Sequence, residues 1–213
     1  VAFSGHKMLG PTGIGVLWGR RELLEKMPPV MGGGEMIREV HQDRVAFREP
    51  PARFEAGTPN IAGAIGLGVA ADYLEGIGWE EIAAHELTMQ RRAAERVSEG
   101  FEGKVAIVGP KDLKEREAVV SFSLEGVHAH DISSILDAEG VAIRSGHHCA
   151  QPLMERLHVA ALSRASPYLY NSPADIDRLF DALGKVVSVF RGHERKATPA
   201  PLPSLSPATR QPR

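Results

Sequence analysis

Cysteine is almost missing from this sequence: Cys149 is the single one among 213 residues. A lone cysteine closes no internal disulfide, which fits a reducing compartment and leaves Cys149 as either inert packing or a reactive thiol. Net charge is nearly missing too, with 25 Lys and Arg against 27 Asp and Glu, and the basic residues are spread along the chain rather than clustered. That distribution gives no electrostatic footprint for nucleic acid. No apolar run reaches the roughly eighteen residues that read as a membrane span. The most apolar stretch, 61–74, is interrupted by glycines and predicts a buried helix. Internal repeats and spaced cysteine pairs are absent as well, which removes solenoids and the usual structural zinc sites. What is present is 43% hydrophobic and 24% charged residues in a chain long enough to bury a core, so disorder is not the reading for most of it.

Periodicity predicts strands at 1–3, 14–18, 105–108, 119–124 and 141–144, and helices at 20–27, 61–76, 80–100, 131–139 and 175–190. Ser172 and Pro173 are suited to cap and open the last helix. The segment 162–168 reads as one more strand, on which Pro167 removes a ladder hydrogen bond and points to an edge position. Residues 28–59 carry prolines and the run Gly32-Gly33-Gly34 with little periodicity, predicting a long irregular excursion, and such loops are uncommon unless functional. The alternation after residue 100 suggests an α/β or α+β layer. Pro, Ala, Ser, Thr and Arg dominate 196–213, too poor in large apolar groups to offset the entropy of folding.

Two places carry chemistry. In Ser4-Gly5-His6-Lys7-Met8-Leu9-Gly10, a lysine sits between a strand-like entry and a glycine-rich turn, where small residues let backbone and ligand approach. An imine-forming lysine needs that access, with hydroxyl and imidazole donors such as Ser4 and His6 for a phosphate. On the residues alone, a lysine beside glycines is most often a solvated loop residue. Cys149 follows Arg144-Ser145-Gly146-His147-His148, and cationic neighbours raise the thiolate population that attacks electrophiles. Inert packing stays open beside that reading. Imidazole and thiolate also suit zinc, but adjacent residues chelate one ion poorly and no second cysteine exists. Arg164 is a candidate carboxylate clamp, or equally a surface ion-pair partner.

Four motifs in order resemble the cysteine desulfurases: Ser4-Gly5-His6-Lys7; 54–60, containing Ala56-Gly57-Thr58-Pro59-Asn60; 144–153 around Cys149; and Ser163-Arg164-Ala165-Ser166 with Tyr170-Asn171. The compact stretch around Cys149 is similar to the SUF-type or selenocysteine-lyase-like branch of this class-V aminotransferase family, and the resemblance spans 1 to about 192. It implies an α/β, fold-type I architecture of pyridoxal 5'-phosphate (PLP)-dependent transferases. Residues 1–76 would be the C-terminal part of a large cofactor domain, 77–192 a small α+β domain and 193–213 a disordered Pro-rich tail. It further implies a cytoplasmic homodimer with sites at the subunit interface.

By the same resemblance Lys7 holds the cofactor covalently and shuttles the Cα proton, Ser4 and His6 contact its phosphate, and Thr58 reaches the phosphate in the partner subunit. Arg164 holds the substrate carboxylate and Arg144 lies near the substrate. L-Cysteine becomes L-alanine, Cys149 takes the sulfur as a persulfide, and an acceptor protein of iron–sulfur assembly receives it. A selenocysteine lyase is the alternative on the same scaffold, and a non-catalytic dimerisation module is the alternative in another class. Family members carry a ring-stacking His, an Asp at the pyridine nitrogen and a Gln at the ring oxygen before the lysine motif. The chain therefore reads as a C-terminal half, expected to be inactive and association-prone alone.

Overall fold

A computed structural model describes residues 1–116 and 118–190. The expected tail at 193–213 lies outside them. The chain divides into two compact units, Val1–Trp79 and one that begins at Glu80.

In the first unit, β1 (Ala2–Ser4) pairs antiparallel with β2 (Gly15–Leu17), Ala2 opposite Leu17 and Ser4 opposite Gly15. The helix expected at 20–27 is regular only over α1 (Arg21–Leu24), although turn bonds continue to Met27. Pro28 stops it, since a proline supplies no N–H for a further turn. The excursion at 28–59 is not irregular throughout. It contains a hairpin, β3 (Ile37–Val40) with β4 (Val45–Phe47), closed by His41 N–H donating to Arg44 C=O at 2.8 Å. These strands are short, largely exposed and interrupted by a register shift between Ile37 and Glu39, so no clean alternation marks them. Gly33 packs beside Ala56 and Gly57, and Gly57 N–H donates to Gly34 C=O at 2.9 Å.

Helix α2 (Ile61–Ile77) forms where expected, capped by Asn60. It is not the buried helix that its composition suggests: Ile61, Ile65, Val69 and Tyr73 recur every four residues and are 58–66% exposed. The opposite face buries Gly63, Leu67, Ala70 and Leu74. High apolar content hides this division, because both faces carry hydrophobic residues.

The second unit is a four-stranded antiparallel sheet in the order β5-β6-β8-β7. Its strands are β5 (Val105–Val108), β6 (Val120–Leu124), β7 (Arg144–Gly146) and β8 (Leu162–Ala165). Helices α3 (Trp79–Arg96), α4 (Ala129–Ala138) and α6 (Pro173–Phe190) supply most of the rest of the core. In β6 the inward set Val120, Phe122 and Leu124 alternates with Ser121 and Ser123, the period-2 pattern that made this strand legible. That set packs with Met89, Ile132, Leu136, Phe180 and Leu183, and Phe101 meets Phe180 edge-to-face at 5.4 Å. Arg92 and Arg96 of α3 clamp Asp177 of α6 at 2.6 and 3.1 Å, and the Arg92 hydrogen bond holds the Asp177 carboxyl below its ordinary range.

Three expectations need correction in this unit. The strand expected at 141–144 begins only at Arg144, because Val141 and Ile143 leave α4 as core-packing residues of the connection. Pro167 does not mark an edge: β8 ends at Ala165 and lies inside the sheet, bonded to β6 and β7. A further helix, α5 (Gln151–Leu157), follows Cys149. Seven residues with Pro152 in the first turn make too short a run for periodicity to show it.

Candidate active site

The sequence-predicted site residues fall into two groups, one in each unit. Ser4, His6, Lys7 and Thr58 belong to the first; Arg144, Cys149 and Arg164 belong to the second.

Lys7 ends a single 3-10 turn, Gly5–Lys7, that leaves β1. Gly5 is the hub of the loop: its N–H donates to Ile14 C=O at 2.8 Å, and its C=O accepts from Met8 and Gly10 at 2.9 Å each. A β-carbon on Gly5 would lie 2.9 Å from the Ile14 side chain and 3.2 Å from Ile14 C=O, and one on Gly15 would lie 2.7 Å from Phe3 C=O, so close approach of the neighbouring chain requires both glycines. The loop thus presents His6 and Lys7 outward; both are exposed and Ser4 is half-buried. Thr58, exposed, follows Gly57, whose φ of 78° needs a glycine. An amine with a hydroxyl and an imidazole, on a loop packed too closely for side chains, suits a ligand bearing an aldehyde and a phosphate.

In the second unit β7 and β8 pair with Arg144 opposite Arg164, Ser145 opposite Ser163 and Gly146 opposite Leu162. Directly opposed residues share a sheet face, so both guanidiniums project on the side where α5 packs Met154 and Leu157 against Leu162. Like charges placed so are unfavourable unless an anion lies between them. Among the described residues Arg164 Nε is buried without a hydrogen-bond partner, leaving a donor directed to an acceptor of that kind.

The connection from β7 to α5 carries the thiol. His148 and Cys149 both have left-handed backbone, φ 54° and 59°, a costly conformation for two consecutive non-glycine residues. His148 is anchored: its Nε2–H donates to Leu162 C=O at 2.9 Å, two residues before Arg164, which fixes the neutral tautomer and leaves Nδ1 as acceptor. Burial, chiefly, holds the His148 imidazole below its ordinary value, with Arg164, Arg144 and His147 adding repulsion and the Leu162 bond opposing it. Cys149 itself is exposed. On the core side of the sheet, Ser145 Oγ lies 3.0 Å from both Ser133 Oγ and His130 Nδ1, tying the start of the thiol connection to α4. No sequence motif marked His130 or Ser133, since the pairing depends on strand register. Asn60 also escaped as more than a motif member, although an Asn directly before an apolar helix is a recognisable cap signal.

The aminotransferase class-V family model matches residues 1–179. Among curated proteins, the chain is 50% identical over 190 residues to one from Streptomyces coelicolor named "Probable cysteine desulfurase", covering 89% of this chain and 45% of that one. It is 54% identical over 192 residues to one of the same name from Halalkalibacterium halodurans, covering 90% and 46%. Among solved structures, the Escherichia coli cysteine desulfurase CsdA superposes with a TM-score of 0.80 at 37% identity. The Thermococcus onnurineus cysteine desulfurase superposes with 0.81 at 42% identity. Each covers 88% of this chain and 46% of the other. The chain spans about half the length of the relatives that it matches.

Proposed function

Because this chain belongs to the aminotransferase class-V family, we propose that it carries the thiol and substrate-holding side of a cysteine desulfurase that converts L-cysteine to L-alanine and keeps the sulfur on Cys149. The observation that carries the reading is the second unit's sheet face: two opposed arginines, one with an unpartnered buried N–H, and a connection that exposes a thiol five residues after Arg144. An amino-acid carboxylate is the anion that such a pair receives, and guanidinium receives it in bidentate geometry.

The family is PLP-dependent; Lys7 with Ser4 and His6 would hold that cofactor in its own subunit, and Thr58 would reach the phosphate of the one in the partner subunit. When bound, the cofactor supplies a conjugated sink for electrons released at the substrate Cα. Lys7 then serves as the amine that carries a proton at Cα. Arg164, assisted by Arg144, orients the substrate by its carboxylate. Cys149 Sγ attacks the substrate sulfur as thiolate: the Sγ–S bond forms, the substrate Cβ–S bond breaks, and the electron pair left on the carbon side is protonated as alanine forms. The persulfide passes to an acceptor protein of iron–sulfur assembly in a reducing, cytoplasmic setting, which the exposed free thiol favours. The working assembly is a homodimer.

The test is a chimera in which this chain replaces the matching segment of the Streptomyces coelicolor relative. Alanine release from L-cysteine is expected, with a mass shift of one sulfur on Cys149. Cys149→Ser is expected to remove both, lowering turnover at least about a hundredfold. Undiminished alanine release in that variant would sink the proposal.

A further inference from the structure

Asn60 bridges two parts of the first unit. Its Oδ1 accepts from Gly63 N–H at 2.9 Å, the N-cap bond of α2, while its Nδ2 donates to Gly13 C=O at 3.2 Å. A backbone N–H must meet an oxygen and a carbonyl must meet an N–H, so the two contacts together fix which amide end is which. Gly63 is what lets the amide lie there: a β-carbon at that position would sit 2.4 Å from Nδ2. The neighbouring contacts follow the same line. A β-carbon on Gly66 would meet Pro11 Cγ at 2.7 Å, and one on Gly10 would meet Leu67 Cδ1 at 3.0 Å. The first two turns of α2 are therefore seated directly on 10–13, the descending limb of the loop that carries Lys7 at its head. That limb returns to β1 through Gly5 N–H and Ile14 C=O.

Packing alone would let the limb slide along the glycine-lined face, because van der Waals contacts are non-directional. Among the described residues the Asn60 amide supplies the one directional bond from the start of α2 to the limb, one residue before Ile14 closes the loop. We propose that Asn60 is a positioning residue for Lys7: by holding Gly13 to the start of α2 it fixes the loop from which the lysine amine projects. The role given to Lys7 rests on the reading above; the tie itself rests on the two hydrogen bonds and the three glycine contacts.

Asn60→Asp separates capping from tying. Aspartate is an equally good N-cap and keeps the acceptor for Gly63 N–H, but it has no N–H for Gly13. Amide hydrogen exchange in the full chain is the readout. The proposal expects the Gly5, Met8 and Gly10 amides to exchange about three- to tenfold faster in Asn60→Asp, the span that one hydrogen bond's net contribution allows. Gly63 and Ala64 are expected to stay at the wild-type rate. Gly63→Ala, which displaces the amide sterically, is expected to loosen the same three loop amides. Loop amides within twofold of wild type in Asn60→Asp overturn the proposal. So does equal loosening of Gly63 and Ala64, since the cap would then carry the effect. Incubation with pyridoxal phosphate followed by borohydride trapping tests the link to Lys7: label at Lys7 is expected to fall about three- to tenfold in Asn60→Asp. Absence of label at Lys7 in the unaltered chain would count against the cofactor role of Lys7, while the exchange result still decides the tie.

Discussion

The two units solve the problem of stability differently. The Lys7 unit is made of two two-stranded sheets, the short α1 and α2, whose exposed face is apolar, and it buries few large side chains, chiefly Met36, Leu67 and Leu74. Isolated two-stranded ribbons are marginal in water. The Cys149 unit has a four-stranded sheet and a contiguous core with Phe122, Phe180, Leu136, Leu183 and Val186 almost wholly buried. The proposed cofactor residues therefore sit in the weakly cored unit and the proposed carboxylate holder in the strongly cored one. A ligand that binds the first unit has more to contribute to its order than one that binds the second.

Core truncation is the strongest way to break that comparison. Phe180→Ala removes the edge-to-face partner of Phe101 and the ring beneath the Arg96 guanidinium, and is expected to cost about 3–5 kcal/mol. Phe3→Ala in β1, whose side chain is partly exposed, is expected to cost less than about 1 kcal/mol. Urea unfolding followed by residue-resolved amide signals measures both, and equal losses would erase the distinction between the units.

Acid titration of His148, in the second unit, acts next. Unfolded, the His148 imidazole takes up its proton near about pH 6.5, whereas burial keeps the folded side chain neutral to lower pH. Below that value the unfolded chain binds more protons, so stability rises with pH through this window and is lost as pH falls below about 6.5. His148→Gln keeps an N–H for Leu162 C=O without a titrating group. Its urea midpoint is expected to fall less between pH 7 and pH 5 than that of the unaltered chain; identical slopes would show that another group sets the response.

The smallest expected effect is on α2. Ile65→Lys, in the middle of its exposed stripe, is expected to change the unfolding free energy of the dilute chain by no more than about 0.5 kcal/mol. A larger loss at raised concentration only would show that the stripe is covered by association, which light scattering checks directly.

Much of the second unit was legible because its elements keep strict periods: β6 alternates every two residues and α6 buries Ile176, Leu179, Phe180 and Leu183 along one face. The α2 helix was legible as an element but not in its burial, since hydrophobic residues on both faces give composition no side to choose. The hairpin of β3 and β4 and the short α5 were missed because a few exposed residues, or seven with a proline, contain at most two periods, too few to read. For the candidate site, the residue types stood in the sequence, while which of them the fold brings together did not. Arg144 and Arg164 are twenty positions apart, and only strand register places them opposite each other. His130 meets Ser145 for the same reason.

Strand order has a mechanical consequence. Arg164 is stitched on both flanks, to Ser121 of β6 and to Arg144 of β7, so it can shift only if the sheet shifts. Cys149 hangs from a short connection whose nearest side-chain anchor is its neighbour's ring. Strand and connection therefore run on separate clocks: loop-scale excursions of nanoseconds to microseconds are open to Cys149 while the Arg164 backbone keeps station. The thiol can therefore lean outward without disturbing the backbone on which Arg164 sits.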